Sequence, residues 1–212
     1  MKFNNGAWLM KPGVISNNCE QVREVRLSKD NRSLWLFCVR YRQDERSMEG
    51  AVQEVTITAP GPDMLRLQTV HHKGERQNKP KFELNDENLP LEVTQEGNLI
   101  EVRSGKLRLV ITKREPCSFT WYFGEERLTS IGNHFGSPML SHVQTPEGDF
   151  MRCQLQVDVG EKIYGLGERF TPFVRNGQVV DIWNEDGGTS SEISYKNIPF
   201  YLSSRMYGVF YH

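Results

Sequence analysis

Charge of one sign is what this 212-residue sequence lacks most plainly, with 26 Lys and Arg against 27 Asp and Glu and a formal net charge of −1. Without a block of like charge there is no electrostatic footprint for a phosphate backbone or an anionic lipid surface, so no nucleic acid partner is expected. Long apolar runs are missing too. The longest, Leu34 to Val39, falls far short of the about 20 residues that a membrane-spanning helix needs, so no membrane is expected either. The opening MKFNNGAWLMKPG has one Lys before a few apolar residues and is then broken by Pro12 and Gly13, so it lacks the apolar centre of a secretory signal. These absences predict a soluble, cytoplasmic chain. Cys19, Cys38, Cys117 and Cys153 are scattered, with no C-x-x-C pair and no His at metal spacing. Neither a zinc site nor a disulfide framework follows, no cofactor is expected, and the four thiols are read as reduced and mostly packed.

Helical periodicity is the last absence: no i, i+3, i+4, i+7 stripe persists for three turns between caps, which removes the crossover helices that a parallel sheet requires. What the chain has instead is alternation. FMRCQLQVDV, from Phe150 to Val159, sets Met151, Cys153, Leu155, Val157 and Val159 against Arg152, Gln154, Gln156 and Asp158, the period of two of a half-buried strand. Similar alternation runs through Trp35, Phe37, Val39 and Tyr41, through Leu65, Leu67 and Thr69, and through Leu107, Leu109 and Ile111, each bounded by Gly, Pro, Asn or Asp. The fold class expected is all-β, an antiparallel β-sandwich, as a single domain over 1–212. Asn176-Gly177 predicts a two-residue hairpin between PFVR and QVVDIW. The polar stretch from His72 to Asn88 predicts a long solvated connection.

The most unusual composition lies between Tyr164 and Glu192, YGLGERFTPFVRNGQVVDIWNEDGGTSSE. Gly165 and Gly167 lack the third glycine and the following helix of a nucleotide cradle. Glu168 and Arg169 beside those turns read as a structural ion pair. Glu185 and Asp186 are adjacent acids, but strand neighbours point to opposite faces, and nothing in a loop followed by Gly187-Gly188 holds two carboxyls around a substrate. A turn with Asp186 capping its own backbone is the simplest reading. His71-His72 at a strand end reads as solvated surface. Trp35 and Trp121 sit within apolar alternation and read as core, whereas Trp183, beside the acidic loop, is the candidate for stacking on a sugar ring.

YGLGERF (Tyr164 to Phe170), VRNGQ (Val174 to Gln178), WNEDGGTSSE (Trp183 to Glu192) and YKNIPFYLSSRMYGVF (Tyr195 to Phe210) together resemble the N-terminal domain of family 31 glycoside hydrolases, in particular the α-xylosidase and α-glucosidase branch. NNGAWLMKPG (Asn4 to Gly13) looks like the start of that branch. The resemblance implies a galactose mutarotase-like sandwich. It also implies a parent enzyme that hydrolyses terminal α-linked xylose or glucose with retention, using two carboxyls on a (β/α)₈ barrel that follows this domain. A retaining pair stands about 5 Å apart across the anomeric carbon, and the resemblance assigns no member of it to this chain, so no catalytic residue is expected here. It does imply that Asp186, the acid before Gly-Gly, reaches the neighbouring pocket and hydrogen-bonds sugar hydroxyls. Met206 stands where the family usually has glycine, so the local backbone is expected to differ. A sandwich closing at His212 would lack its last strands and leave an edge open.

The function expected is therefore a non-catalytic domain that packs on the barrel, lends a loop to a pocket for α-linked xylo- or gluco-oligosaccharide, and self-associates as a homo-oligomer. Two other classes stand beside it. A free-standing carbohydrate-binding module would use Trp183 and Asp186 as a shallow site. A mutarotase-like epimerase would need a Glu with a His across the ring oxygen, and none of His71, His72, His134, His142 and His212 lies in a segment matching such a site.

Overall fold

A computed structural model describes residues 10–40, 52–72, 84–114, 117–132, 140–185 and 193–212. Among them are fifteen strands and no helix. The strands are β1 (Ile15–Asn18), β2 (Gln21–Leu27), β3 (Ser33–Val39), β4 (Gln53–Thr58), β5 (Arg66–Val70), β6 (Glu92–Glu96), β7 (Leu99–Ser104), β8 (Leu107–Thr112), β9 (Ser118–Phe123), β10 (Glu126–Ile131), β11 (Leu140–Thr145), β12 (Gly148–Cys153), β13 (Ile163–Gly165), β14 (Phe200–Ser203) and β15 (Gly208–Phe210). All ladders between them are antiparallel. The expected all-β class and antiparallel pairing are thus observed. The chain gathers into two compact units, Asn4–Gln156 and Val157–His212.

The larger unit contains a four-stranded sheet, β2-β3-β4-β5, a five-stranded sheet, β10-β9-β8-β7-β6, and a three-stranded sheet, β1-β11-β12. Its core is built by alternation. Leu34, Leu36 and Cys38 on β3 and Val55 and Ile57 on β4 join Ile100 and Val102 on β7, Leu109 and Ile111 on β8 and Phe119 on β9 in one buried cluster. Period two places every second residue on the same face, and these faces bury together. Leu65 and Leu67 pack against the cluster from the β5 side. Cys19, Cys38 and Cys117 are buried and Cys153 is exposed, all four as free thiols.

Two strand faces differ from the sequence reading. On β3 the fully buried residues are Leu34, Leu36 and Cys38, while Trp35 and Phe37 are half-buried on the other face. The indole N–H of Trp35 donates to Glu54 Oε2 at 2.8 Å, and the Arg26 guanidinium lies 4.7 Å from its ring. A polar partner and a cation over the ring suit an outward indole. The strand expected over Phe150–Val159 ends at Cys153, and on it Met151 and Cys153 are exposed while Phe150 and Arg152 are half-buried. Val159 is fully exposed, and Leu155 alone of that apolar set packs against the core. Register against β11, not the local alternation, decides which face turns in.

The smaller unit holds the three-stranded sheet β13-β14-β15. The Asn176-Gly177 turn forms, with Gln178 N donating to Arg175 O at 3.0 Å and a positive φ of 75° at Gly177 alone. That is the type II pattern, not a two-residue hairpin. Its flanks do not pair with each other, because Arg175 N donates instead to Ile163 O at 2.8 Å.

Candidate functional site

The YGLGERF segment is built by close backbone approach. Gly165, Leu166 and Gly167 have φ values of 108°, 67° and 89°, three successive residues in a region that side chains disfavour. A Cβ at Gly165 would lie 2.7 Å from Phe200 O, and one at Gly167 would lie 2.1 Å from Lys196 O. Glycine is therefore required at both places by space as well as by torsion. Leu166 N donates to Phe200 O at 2.9 Å and Glu168 N to Lys196 O at 3.0 Å, so this turn is sewn to the chain leading into β14.

Two side chains fix the next layer. Arg175, 8% exposed, donates from Nε to Gly165 O and from Nη1 to Thr171 Oγ1 and Pro172 O, each at 2.9 Å. Its fork saturates carbonyls that would otherwise be orphaned near the turn. Asn197 does the same for the acidic loop: its Nδ2 donates to Trp183 O at 2.7 Å, Asn184 Oδ1 at 2.9 Å and Ser194 O at 2.7 Å. Arg169 completes the frame, donating to Asn197 Oδ1, to Asp181 O at 2.8 Å and to Leu166 O at 3.3 Å.

These bonds clamp both ends of one loop. Asn184 and Ser194 form a parallel bridge, and Glu185 N donates to Ser194 O at 3.0 Å. The segment between, 186–192, lies outside the described residues, and Asp186 with it. Trp183 sits at the base, its carbonyl held by Asn197 while its side chain is 73% exposed. Glu168 and Arg169 do not pair with each other as the sequence reading has it. Glu168 Oε1 instead accepts from Lys196 Nζ at 3.2 Å, and both residues serve the frame.

Glu161 is a carboxylate that sequence reasoning missed. It is 5% exposed, and its oxygens accept from the Ser203 hydroxyl, from Tyr207 Oη at 2.7 Å and from Asp158 N at 2.8 Å. Burial pushes its pKa up, but the Ser203 and Tyr207 hydroxyls, the Asp158 N–H and the Arg205 charge outweigh it and hold the group below the usual carboxylate range. An ionised carboxylate saturated with donors is an anchor, not a general acid. Asn176 links it to the turn, its Nδ2 donating to Glu161 O at 2.9 Å. No periodic pattern marks Glu161, Arg175 or Asn197, because each has a partner far along the chain: the Ser203 and Tyr207 hydroxyls, Gly165 O and Trp183 O.

His71 differs from its expected solvated setting. Its ring stacks on that of His142 at 4.0 Å between centroids, and its Nδ1 lies 2.8 Å from Val52 O. His142 is 3% exposed, with Nε2 3.3 Å from Asp149 Oδ2. Among the described residues no group of three His, Cys, Asp or Glu is arranged to hold a metal ion. No helix among them is long and apolar enough to cross a membrane.

The described strands make an all-β, antiparallel architecture with no helix among them. The chain belongs to the glycosyl hydrolase 31 N-terminal galactose mutarotase-like domain family, whose pattern matches residues 54–212. It is 38% identical to an alpha-xylosidase of Emericella nidulans over 99% of this chain and 29% of that protein. It is 34% identical to an alpha-xylosidase of Lactiplantibacillus pentosus over 99% of this chain and 27% of that one. The chain thus spans under a third of the length of the curated relatives it matches. In fold it is similar to a cycloalternan-forming enzyme from Listeria monocytogenes, with a TM-score of 0.70 at 17% identity over 93% of this chain and 18% of that one.

Proposed function

We propose that this chain is the non-catalytic N-terminal domain of an α-xylosidase-like hydrolase, packing on a catalytic barrel and lending the 186–192 loop to its substrate pocket. The observation that carries this reading is the clamped neck of that loop: the Asn184–Ser194 bridge, tied down by Asn197 beside an exposed Trp183. Loops held rigidly at the base present functional groups with little loss of precision. Asp186 is the group presented, and it hydrogen-bonds sugar hydroxyls; Trp183 offers its indole face to the sugar ring. The exposed apolar side chains of the same unit, among them Phe173, Tyr195 and Ile198, are the surface that the barrel covers. Without that cover the chain self-associates, which light scattering would read as a mass above 24.5 kDa.

The test has two arms. Alone, the purified chain leaves p-nitrophenyl α-xyloside and α-glucoside intact, and turnover in a clean preparation would overturn the reading. Grafted in place of the matching N-terminal portion of the Emericella nidulans alpha-xylosidase, the chain supports hydrolysis, and Asp186→Ala in that chimera raises KM more than about tenfold, the cost of one or two lost hydrogen bonds to a substrate. An unchanged KM would remove Asp186 from the pocket. The exposed Trp183 also favours a second reading, a free-standing carbohydrate-binding module. Calorimetric binding of xylose, isoprimeverose or maltose to the isolated chain tighter than about 1 mM, roughly 4 kcal/mol, would select it.

A further inference from the structure

The larger unit carries an open surface cleft of about 590 Å³ at one corner, where β2, the β6–β7 turn and the end of β8 meet. That volume falls within the range of small-molecule sites. Among the described residues its lining contains Arg23, Lys113 and Arg114 and no carboxylate. In a chain whose cations and anions balance so closely, three cations around one cleft is a local imbalance. Neither the Lys113 nor the Arg114 side chain makes a hydrogen bond or ion pair among the described residues. Arg23 has an interaction of its own, so among the described residues the uncompensated charge lies on Lys113 and Arg114.

The backbone shows how the corner is made. The β2–β3 register shifts between Val22 and Glu24, which makes Arg23 the bulged residue, and bulges re-aim a side chain out of the regular alternation. Val22 N donates to Lys113 O at 2.9 Å and Lys113 N to Asn98 O at 2.9 Å, so the three segments are laced together. Asn98 Nδ2 donates to Arg114 O at 3.0 Å. The cations therefore stand on a fixed frame. Beside them the lining offers the amide side chains of Gln95 and Asn98 and the apolar Val22 and Val25.

We propose that this corner is a binding site for a monosaccharide phosphate, unrelated to the loop at 186–192. Guanidinium and ammonium groups take the dianion, with the Arg fork matched to its oxygens. The two amides donate to and accept from hydroxyls, and the half-buried Val25 receives the C–H face of the ring. A plain sugar lacks the group that the cations recruit. Inorganic phosphate lacks the parts that the amides and Val25 recognise.

Glucose 6-phosphate, glucose, glucuronate and inorganic phosphate, titrated calorimetrically into the chain at equal ionic strength, separate these requirements. Glucose 6-phosphate should bind saturably and at least tenfold more tightly than the other three, and should weaken as salt is raised. The double variant Lys113→Gln, Arg114→Gln should lose at least tenfold in that affinity while keeping the wild-type circular dichroism and melting temperature, since both changes are at the rim. Absence of saturable binding overturns the proposal, as does binding that survives the double variant. Glucose binding equally well would remove the role of the cations; inorganic phosphate doing so would remove that of the sugar contacts, and glucuronate that of the dianion.

Discussion

The two units of this chain are stabilised by different physics. In Asn4–Gln156 the large buried side chains are Leu, Ile, Val and Phe from facing strands. In Val157–His212 Tyr201 is the one buried hydrophobic residue among those described, whereas fifteen large apolar side chains are exposed there, against six in the larger unit. What orders the smaller unit is polar: the Arg175 fork, the Asn197 hub and the saturated Glu161 carboxylate. Each such bond contributes only about 1 kcal/mol net, or about 2 where a charge is involved, while a buried Phe or Leu contributes several. The smaller unit therefore has its shape specified from within and its apolar surface left for something else. A truncation deep in the sandwich should break the contrast most forcefully: Phe119→Ala, at 1% exposure, is expected to cost about 3–5 kcal/mol in urea unfolding.

A steric change should do the reverse and strike the smaller unit alone. Gly167→Ala places a Cβ 2.1 Å from Lys196 O at a φ of 89°, and the expected cost is about 3 kcal/mol. Amide hydrogen exchange would show lost protection at Leu166, Glu168 and Arg175 with the β3 and β8 amides unchanged. Loss spread evenly over both units would mean that they unfold as one, and the comparison would fail.

Acid should act on the smaller unit through Glu161, as it acts on the larger one through Asp30, Asp86 and Glu101. Because the Glu161 pKa is depressed in the folded chain, its stabilisation is fully present above the ordinary value of 4.5 and is lost as pH falls through that value to the lower folded one. Protection in the smaller unit should therefore drop below about pH 4.5. Glu161→Gln should remove that dependence and cost about 2 kcal/mol at neutral pH, since an amide cannot accept the same three donors. A smaller unit as acid-sensitive in the variant as in the wild type would assign the effect to another group.

The contrast also explains what could be read in the sequence. Leu107, Leu109 and Ile111 were legible as a strand because one face is buried and the other is not, and the observed β8 follows that alternation. Leu34 to Val39 is apolar on both faces, so period two could not say which set turns inward, and Trp35 faces outward to Glu54 and Arg26. Phe150–Cys153 belongs to a clean alternation and still faces the other way, because register with β11 outranks local pattern. At the candidate site the glycines of YGLGERF were legible as tight turns. The hubs at Arg175 and Asn197 were not, since their partners are carbonyls brought near by the fold, which leave no spacing in the chain.

The smallest expected effect concerns a position where sequence and backbone pull apart. Met206 N donates to Ser203 O at 3.0 Å and Ser203 N to Tyr207 O at 2.9 Å, closing a three-residue loop between β14 and β15. Met206 occupies the left-handed position of that loop, at φ 64°, with its side chain 92% exposed. Such loops place glycine there by preference, so the backbone keeps the conformation that glycine favours although methionine fills it. An L residue in this region costs about 1–2 kcal/mol, and the greater freedom of glycine in the unfolded chain returns part of that. Met206→Gly should therefore stabilise the smaller unit by about 0.5–1 kcal/mol without altering the sandwich, measured as added exchange protection across β14 and β15. A loss of stability would mean that the exposed Met206 side chain contributes packing that outweighs its strain.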